Sequence, residues 1–82
     1  MLLTEQELGE IDQRALAATK GPWVSLVEGR DHLSGSDCIR TAGEDLYLSG
    51  ATQADQDFIA HARQDIPRLI AEIRTLRSRL QV

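Results

Sequence analysis

The stretch Asp65–Leu80, DIPRLIAEIRTLRSRL, decides the fold of this chain. Its aliphatic residues recur at alternating spacings of three and four, which is the pattern of a helix with a heptad seam. The seam consists of Ile66, Leu69, Ile73, Leu76 and Leu80, and Ile70 widens it. A chain of 82 residues buries only about 60% of its unfolded surface, so its own core is thin. We therefore expect a second copy to cover part of the seam in a two-fold contact. An arrangement in which the seam packs wholly within one chain stays open.

The residues before the seam predict where this helix begins. Thr52–Asp55 resembles a capping box, with Asp in place of the usual Glu, and it leads into the segment DFIAHAR. Asp65 and Pro67 also suit the first turn of a helix. The C-terminal part is therefore either one helix with a kink or two helices, the second beginning at Asp65. Phe58 is expected in the core.

The first half of the chain predicts one helix and a small sheet. Thr4–Glu7 is a capping box, and an apolar stripe follows it up to Gly21-Pro22, which ends the helix. Trp23–Glu28 alternates as a strand does, with Trp23, Ser25 and Val27 on one side. Further short strands are expected at Cys38–Thr41 and Leu46–Leu48. The fold class is thus α+β: an N-terminal helix, an antiparallel sheet of two or three strands and one or two C-terminal helices, in a single domain, 1–82.

Composition excludes several classes of partner. The net charge is −4, whereas a nucleic-acid-binding protein needs a clustered basic face. For this reason we do not expect nucleic acid as a partner. A membrane is not expected either, because no apolar stretch approaches the roughly 20 residues that cross a bilayer. The single cysteine, Cys38, cannot form an internal disulfide, and the N-terminus lacks a signal-peptide pattern, so a cytoplasmic location is expected.

The segment Glu28–Cys38, EGRDHLSGSDC, is the densest run of reactive side chains. As a binding loop, it offers Arg30 for a forked contact to a phosphate, His32 for stacking, and Ser34 and Ser36 as hydrogen-bonding groups for an anion. The same composition is equally typical of a solvated hairpin turn. Both interpretations stay open.

Catalytic and metal-binding interpretations have less support. Asp31, His32 and the two serines are the residue types of a hydrolytic triad, but triads are assembled by the fold and not by adjacency. Asp57 and His61 share one helix face and could hold a metal together with His32. We expect neither chemistry, and we predict no catalytic residue, no metal and no cofactor.

Two longer segments resemble a known family. ALAATKGPW at 15–23 and ADQDFIAHARQDIPRLIAE at 54–72 are similar to short bacterial and phage hypothetical proteins related to the Ead-type early-region proteins of lambdoid phages. Lys20 stands where that pattern usually has Pro, and Ile70 where it has Leu. The resemblance implies a phage or prophage accessory protein without an established enzyme activity. Some small oligomeric phage proteins, the Sequestin type among them, sequester nucleotide signals of bacterial defence.

The functional hypothesis combines these observations. The chain is expected to be a non-catalytic, homo-oligomeric protein that sequesters a small anionic, nucleotide-type molecule in a pocket between subunits, in the host cytoplasm if it is phage-encoded. The expected ligand-binding residues are Trp23, Arg30, His32, Ser34, Ser36, His61 and Arg63. Trp23 is alternatively a core anchor. The alternative function is a regulator that binds a host protein through the C-terminal helix, and a hydrolase is the third hypothesis.

Overall fold

A computed structural model describes residues 2–81, so the predicted domain begins and ends one residue outside this range. The elements are α1 (Glu5–Ala17), β1 (Val24–Leu26), β2 (Cys38–Arg40) and α2 (Gln53–Leu80). The predicted α+β class is confirmed.

Both predicted capping boxes are formed. The Thr4 hydroxyl accepts from the Glu7 amide at 3.0 Å, and the Glu7 carboxylate accepts from the Thr4 amide at 2.8 Å. Thr52 and Asp55 repeat the arrangement at the start of α2, at 3.0 and 3.1 Å. These reciprocal bonds satisfy amides that the first helical turn leaves without partners, and so they fix where each helix begins.

The sheet has two strands. β1 and β2 pair antiparallel, with Ser25 opposite Ile39. The alternation predicted for β1 is confirmed on its inner side, where Ser25 and Val27 are buried. Leu46–Leu48 is not a strand: only Leu46 pairs with Ile39, through two backbone hydrogen bonds of 2.8 Å. The chain turns away beyond this pair, because it must reach the N-cap of α2 at Thr52.

α2 is one helix of 28 residues that continues through Pro67. At a rise of about 1.5 Å per residue it is roughly 42 Å long, and it forms the long axis of a molecule measuring 54 × 21 × 20 Å. Its N-terminal half packs on the sheet, and α1 packs along α2 from Ile59 to Arg77. The core follows this division. Val27, Cys38, Ile39 and Ala60 are buried at the sheet end, and Leu8 and Ile70 at the α1 end.

The predicted seam is divided between two environments. Ile70 is buried and Ile66 and Ile73 are half-buried, whereas Leu69, Leu76 and Leu80 remain 57%, 48% and 85% exposed. α1 is a single helix and covers only one side of α2. The seam therefore does not pack wholly within one chain.

The prediction that Phe58 lies in the core is wrong, since its side chain is 75% exposed. Gln56 and Ala60 are buried against the sheet at a spacing of four, so they define the inner side of α2. Phe58 lies two residues from each and points to the opposite side. Among residues 2–81, no helix combines the length and the apolar content needed to cross a membrane.

Candidate functional site

The structure distributes the seven predicted site residues over three places. Trp23, Arg30 and His61 line one depression of about 450 Å³ between β1 and α2, called the polar cleft here. Arg63 lines a second depression between α1 and α2, called the helix groove, and Trp23 borders both. His32, Ser34 and Ser36 remain in the loop between the strands.

That loop is an ordered turn. The amides of Arg30 and Asp31 both donate to the Val27 carbonyl, at 3.1 and 2.8 Å, and the Gly29 amide donates to the His32 carbonyl at 2.7 Å. Gly35 has φ +108°, and a Cβ there would lie 3.4 Å from His32 Cε1, so the glycine lets the backbone cover the imidazole. Buried His32 Nε2 has no hydrogen-bond partner within residues 2–81, and Ser34 and Ser36 are exposed.

Arg30 is already paired with two carboxylates. Its terminal nitrogens donate to both Asp57 oxygens at 2.9 Å, and its Nε donates to Asp31 at 2.9 Å. These bonds hold the pKa values of Asp57 and Asp31 below the usual carboxyl range and raise the pKa of Arg30. A phosphate at Arg30 would have to displace two carboxylates. In this geometry Arg30 joins the loop to α2.

Two glutamines that sequence reasoning did not select hold α2 against the sheet. The Gln56 amide donates to Ser25 Oγ at 2.8 Å and to the Cys38 carbonyl at 3.1 Å. Gln64 accepts from the Trp23 amide at 2.7 Å and donates to the Trp23 carbonyl at 3.1 Å. Gln56, Ala60 and Gln64 recur at a spacing of four and therefore share one helix face. That spacing was the signal available in the sequence.

Trp23 and Arg63 are brought together by one backbone oxygen. The indole Nε1 of Trp23 donates to the Thr19 carbonyl at 2.8 Å, and Nε of Arg63 donates to the same oxygen at 3.0 Å. The half-buried indole is thus oriented from the end of α1, while Arg63 reaches it from α2. This contact joins two of the predicted site residues at the edge of the helix groove.

The helix groove is an open depression of about 310 Å³ with a mainly apolar floor and two guanidinium groups. Its lining consists of Ile11, Arg14, Ala15, Ala18, Trp23, Ile59, Ala62, Arg63 and Ile66. No carboxylate is among these lining residues, although the whole chain carries a net charge of −4. The groove is therefore a locally cationic surface on an acidic protein. Sequence reasoning missed Arg14.

A second exposed surface continues from the groove and contains the remaining aromatic residues. This aromatic surface, with a depression of about 570 Å³, is lined by Tyr47, Leu48, the segment 49–51, Asp55, Phe58 and Ile59. Tyr47 is 65% exposed, and Ile59 lines both the groove and this surface. The three aromatic residues of the chain therefore line two adjacent depressions that share Ile59, and none of them is buried in the core.

The groups considered for catalysis have structural partners. Asp31 Oδ2 accepts from Arg30 and from the Val27 amide, and among residues 2–81 no hydrogen bond joins Asp31 to the imidazole of His32 as a triad requires. His61 Nδ1 lies 2.8 Å from the Asp57 carbonyl in its own helix. Burial raises the pKa of the Cys38 thiol, which disfavours the reactive thiolate. Among residues 2–81, no three His, Cys, Asp or Glu side chains cluster as metal ligands would.

No protein-family model, curated protein or solved structure matches this chain. The resemblance to the Ead-type proteins therefore stays a prediction from the sequence.

Proposed function

We propose that this chain is a non-catalytic binding protein that sequesters a small anionic molecule of nucleotide type in the helix groove, at a site that a second subunit closes. One observation carries the proposal: two arginines and no carboxylate line an apolar groove, which shares Ile59 with the neighbouring surface of exposed aromatic residues.

The residue types in this region suit the two chemical parts of a nucleotide. Arginine forms forked, charge-assisted hydrogen bonds with phosphate oxygens, and Arg14 and Arg63 lie on the two helices that border the groove. A planar base can stack on an aromatic ring, which is worth about 1–3 kcal/mol per base. Trp23 borders the groove, and Phe58 extends the stacking surface beyond Ile59.

The shape of the groove favours a site shared between subunits. Its volume of about 310 Å³ lies at the lower end of ligand pockets, which span about 300–1,000 Å³. Such pockets enclose most of their ligand, whereas this groove lies open on the surface of one chain. A neighbouring subunit would supply the missing wall.

The proposal assigns new roles to some of the predicted residues. Trp23 and Arg63 keep their expected role in ligand binding, and Arg14 joins them. The charge of Arg30 is balanced by Asp57 and Asp31, so its role is to hold the loop on α2. The function in a phage, as a sponge for an immune signal, rests on the sequence resemblance alone.

Calorimetry with a panel of cyclic oligonucleotides and ADP-ribose derivatives tests the proposal. We expect saturable binding of at least one compound, weakened about ten- to a hundredfold in Arg14→Gln, since a hydrogen bond to a charged group contributes about 1.5–3 kcal/mol. Arg40→Gln is the matched control, because this exposed arginine of β2 lies outside the groove lining. Equal loss in both variants, or no heat with any compound, would refute the proposal. Chromatography of the incubated ligand should show it unchanged.

The second candidate is a regulator that binds a host protein, and the exposed leucines of α2 favour it. Affinity capture from host lysate separates the two functions. A regulator retains one protein partner, whereas a sponge retains no protein and releases a small molecule on heating.

A further inference from the structure

One edge of α2 carries apolar side chains that the rest of residues 2–81 leaves about half exposed. Leu69 and Leu76 are seven residues apart and therefore point in the same direction. They are 57% and 48% exposed, while Ile70, on the adjacent side, is buried. We call the surface formed by Asp65, Leu69, Glu72, Leu76 and Arg79 the outer edge.

Charge is distributed unequally along the outer edge. Asp65 lies at its N-terminal end, one turn before Leu69, and Arg79 lies at its C-terminal end, one turn after Leu76. The nearest cation to Asp65 is Arg68, at 3.8 Å in an exposed pair, and such pairs are weak. The edge is thus acidic at one end and basic at the other, and between them Leu69 and Leu76 flank Glu72.

This order determines which orientation of a second copy fits. Two parallel copies would place Asp65 beside Asp65 and Arg79 beside Arg79, and like charges in an interface are costly. Two antiparallel copies place opposite charges together at both ends. A two-fold axis produces such an interface from one self-complementary surface.

We propose that two copies of this chain pair antiparallel along the outer edge, with Leu69 of each against Leu76 of the other and Asp65 of each beside Arg79 of the other. With the axis at Glu72, Asp65 and Arg79 lie at equal distances from it, about 10.5 Å each at 1.5 Å per residue. Leu69 and Leu76 then differ in level by one residue, or about 1.5 Å.

The two Glu72 carboxylates approach each other at the axis in this arrangement. Arg68 lies one turn before Glu72 on each copy, so guanidinium groups flank the pair from both sides. Removal of the like-charge contact strengthens the dimer. Glu72→Gln is therefore expected to associate more tightly than the wild-type chain.

The pairing deepens the proposed function, on which this step rests, because it brings a second subunit to the helix groove. In the same register Leu80 of the other copy lies level with residue 64, between Ala62 and Ile66, which both line the groove. Leu80 is 85% exposed in a single chain. The second copy thus covers one end of the groove with an apolar side chain.

A charge-reversal cycle tests the pairing, with sedimentation equilibrium of the chain in the absence of ligand as the measurement. Asp65→Lys and Arg79→Glu should each raise the dimer dissociation constant about tenfold or more, because each creates like-charge contacts at both ends. The double variant should return to near the wild-type value, since it restores opposite charges. Gln13→Lys, on the exposed face of α1, is the control for added charge.

Each outcome supports or refutes the pairing. A parallel dimer predicts that the double variant is no better than the single variants, and a wild-type monomer at micromolar concentration refutes pairing altogether. All substitutions are at exposed positions, and circular dichroism should show unchanged helix content. Because no ligand is present, failure of nucleotide binding and failure of dimerisation are observed separately.

Discussion

The two halves of α2 are held in different ways. The N-terminal half is fixed to the sheet by specific polar contacts, through buried Gln56, through Gln64 and through the forked pair of Asp57 with Arg30. The C-terminal half is held by one helix, around Leu8 and Ile70, with ion pairs at the surface. The first half is fixed within the chain by these polar contacts, whereas the second half leaves Leu69, Leu76 and Leu80 exposed.

Removing one core side chain at each end should have the largest effect on stability. Ile39 and Leu8 are both fully buried, and truncation of such residues to Ala costs about 2–5 kcal/mol. We expect Ile39→Ala and Leu8→Ala both to fall in this range in urea unfolding followed by circular dichroism. Leu16→Ala, an exposed position of α1, should change stability by less than about 0.5 kcal/mol. If Leu8→Ala changed stability as little as Leu16→Ala, α1 would not be packed on α2.

The second-largest loss of stability is expected where polar contacts hold the N-terminal half of α2 on the sheet. Gln56→Ala leaves the Ser25 hydroxyl and the Cys38 carbonyl without their donor in a buried place, which costs about 1–3 kcal/mol. Thermal unfolding should show the loss. Gln53→Ala, at an exposed position in the first turn of the same helix, is the matched control. Equal melting temperatures for the two variants would mean that Gln56 does not hold the sheet.

Acid should weaken the ion pairs of Arg30 with Asp57 and Asp31, which hold the loop on α2. The pKa values of Asp57 and Asp31 are lowered in the folded chain by hydrogen bonds from Arg30. Their stabilisation is thus present above the unfolded carboxyl pKa of about 3.9 and is lost as the pH falls towards the folded values. We expect the melting temperature to be nearly constant from neutral pH to about 5 and to fall below about 4.

Arg30→Gln should reduce this acid dependence while lowering the melting temperature at neutral pH. Arg40→Gln, at an exposed position of β2, should leave both unchanged. An acid profile that is identical in wild type and Arg30→Gln would contradict the proposed role of the pair.

The smallest effect on stability is expected from the surface ion pair between α1 and the C-terminal half of α2. Arg74 pairs with Asp12 at 3.1 Å between the two helices, and partly exposed ion pairs contribute about 0–1 kcal/mol. Arg74→Gln should therefore lower stability by less than about 1 kcal/mol, with a smaller difference from wild type in high salt. A larger loss would mean that this ion pair, and not the packing of Leu8, holds α1 in place.

Local signals in the sequence predicted the elements well. Both capping boxes and the inner side of β1 depend on residues within a few positions of one another, so their patterns are complete in the sequence. The position of Phe58 was not predictable in this way. A helical period shows which residues share a face, but it does not show which face meets the sheet.

The candidate site was predicted only in part, for a related reason. Arg30 and Asp57 are 27 positions apart, and their pairing depends on how the loop is placed over α2. Trp23 and Arg63 were selected for their chemistry, but their common partner, the Thr19 carbonyl, is set by the end of α1. Arg14 borders the predicted apolar stripe of α1, and only the packing of the two helices shows that it faces a groove.

The shared contact at Thr19 links the fluorescence of Trp23 to the position of Arg63. The chain has one tryptophan, and the indole N–H of Trp23 is bound to the same oxygen that accepts from Arg63. Any molecule that draws this guanidinium away changes the polarity around the only strong fluorophore. Emission from unlabelled protein should therefore change when the proposed ligand binds in the groove.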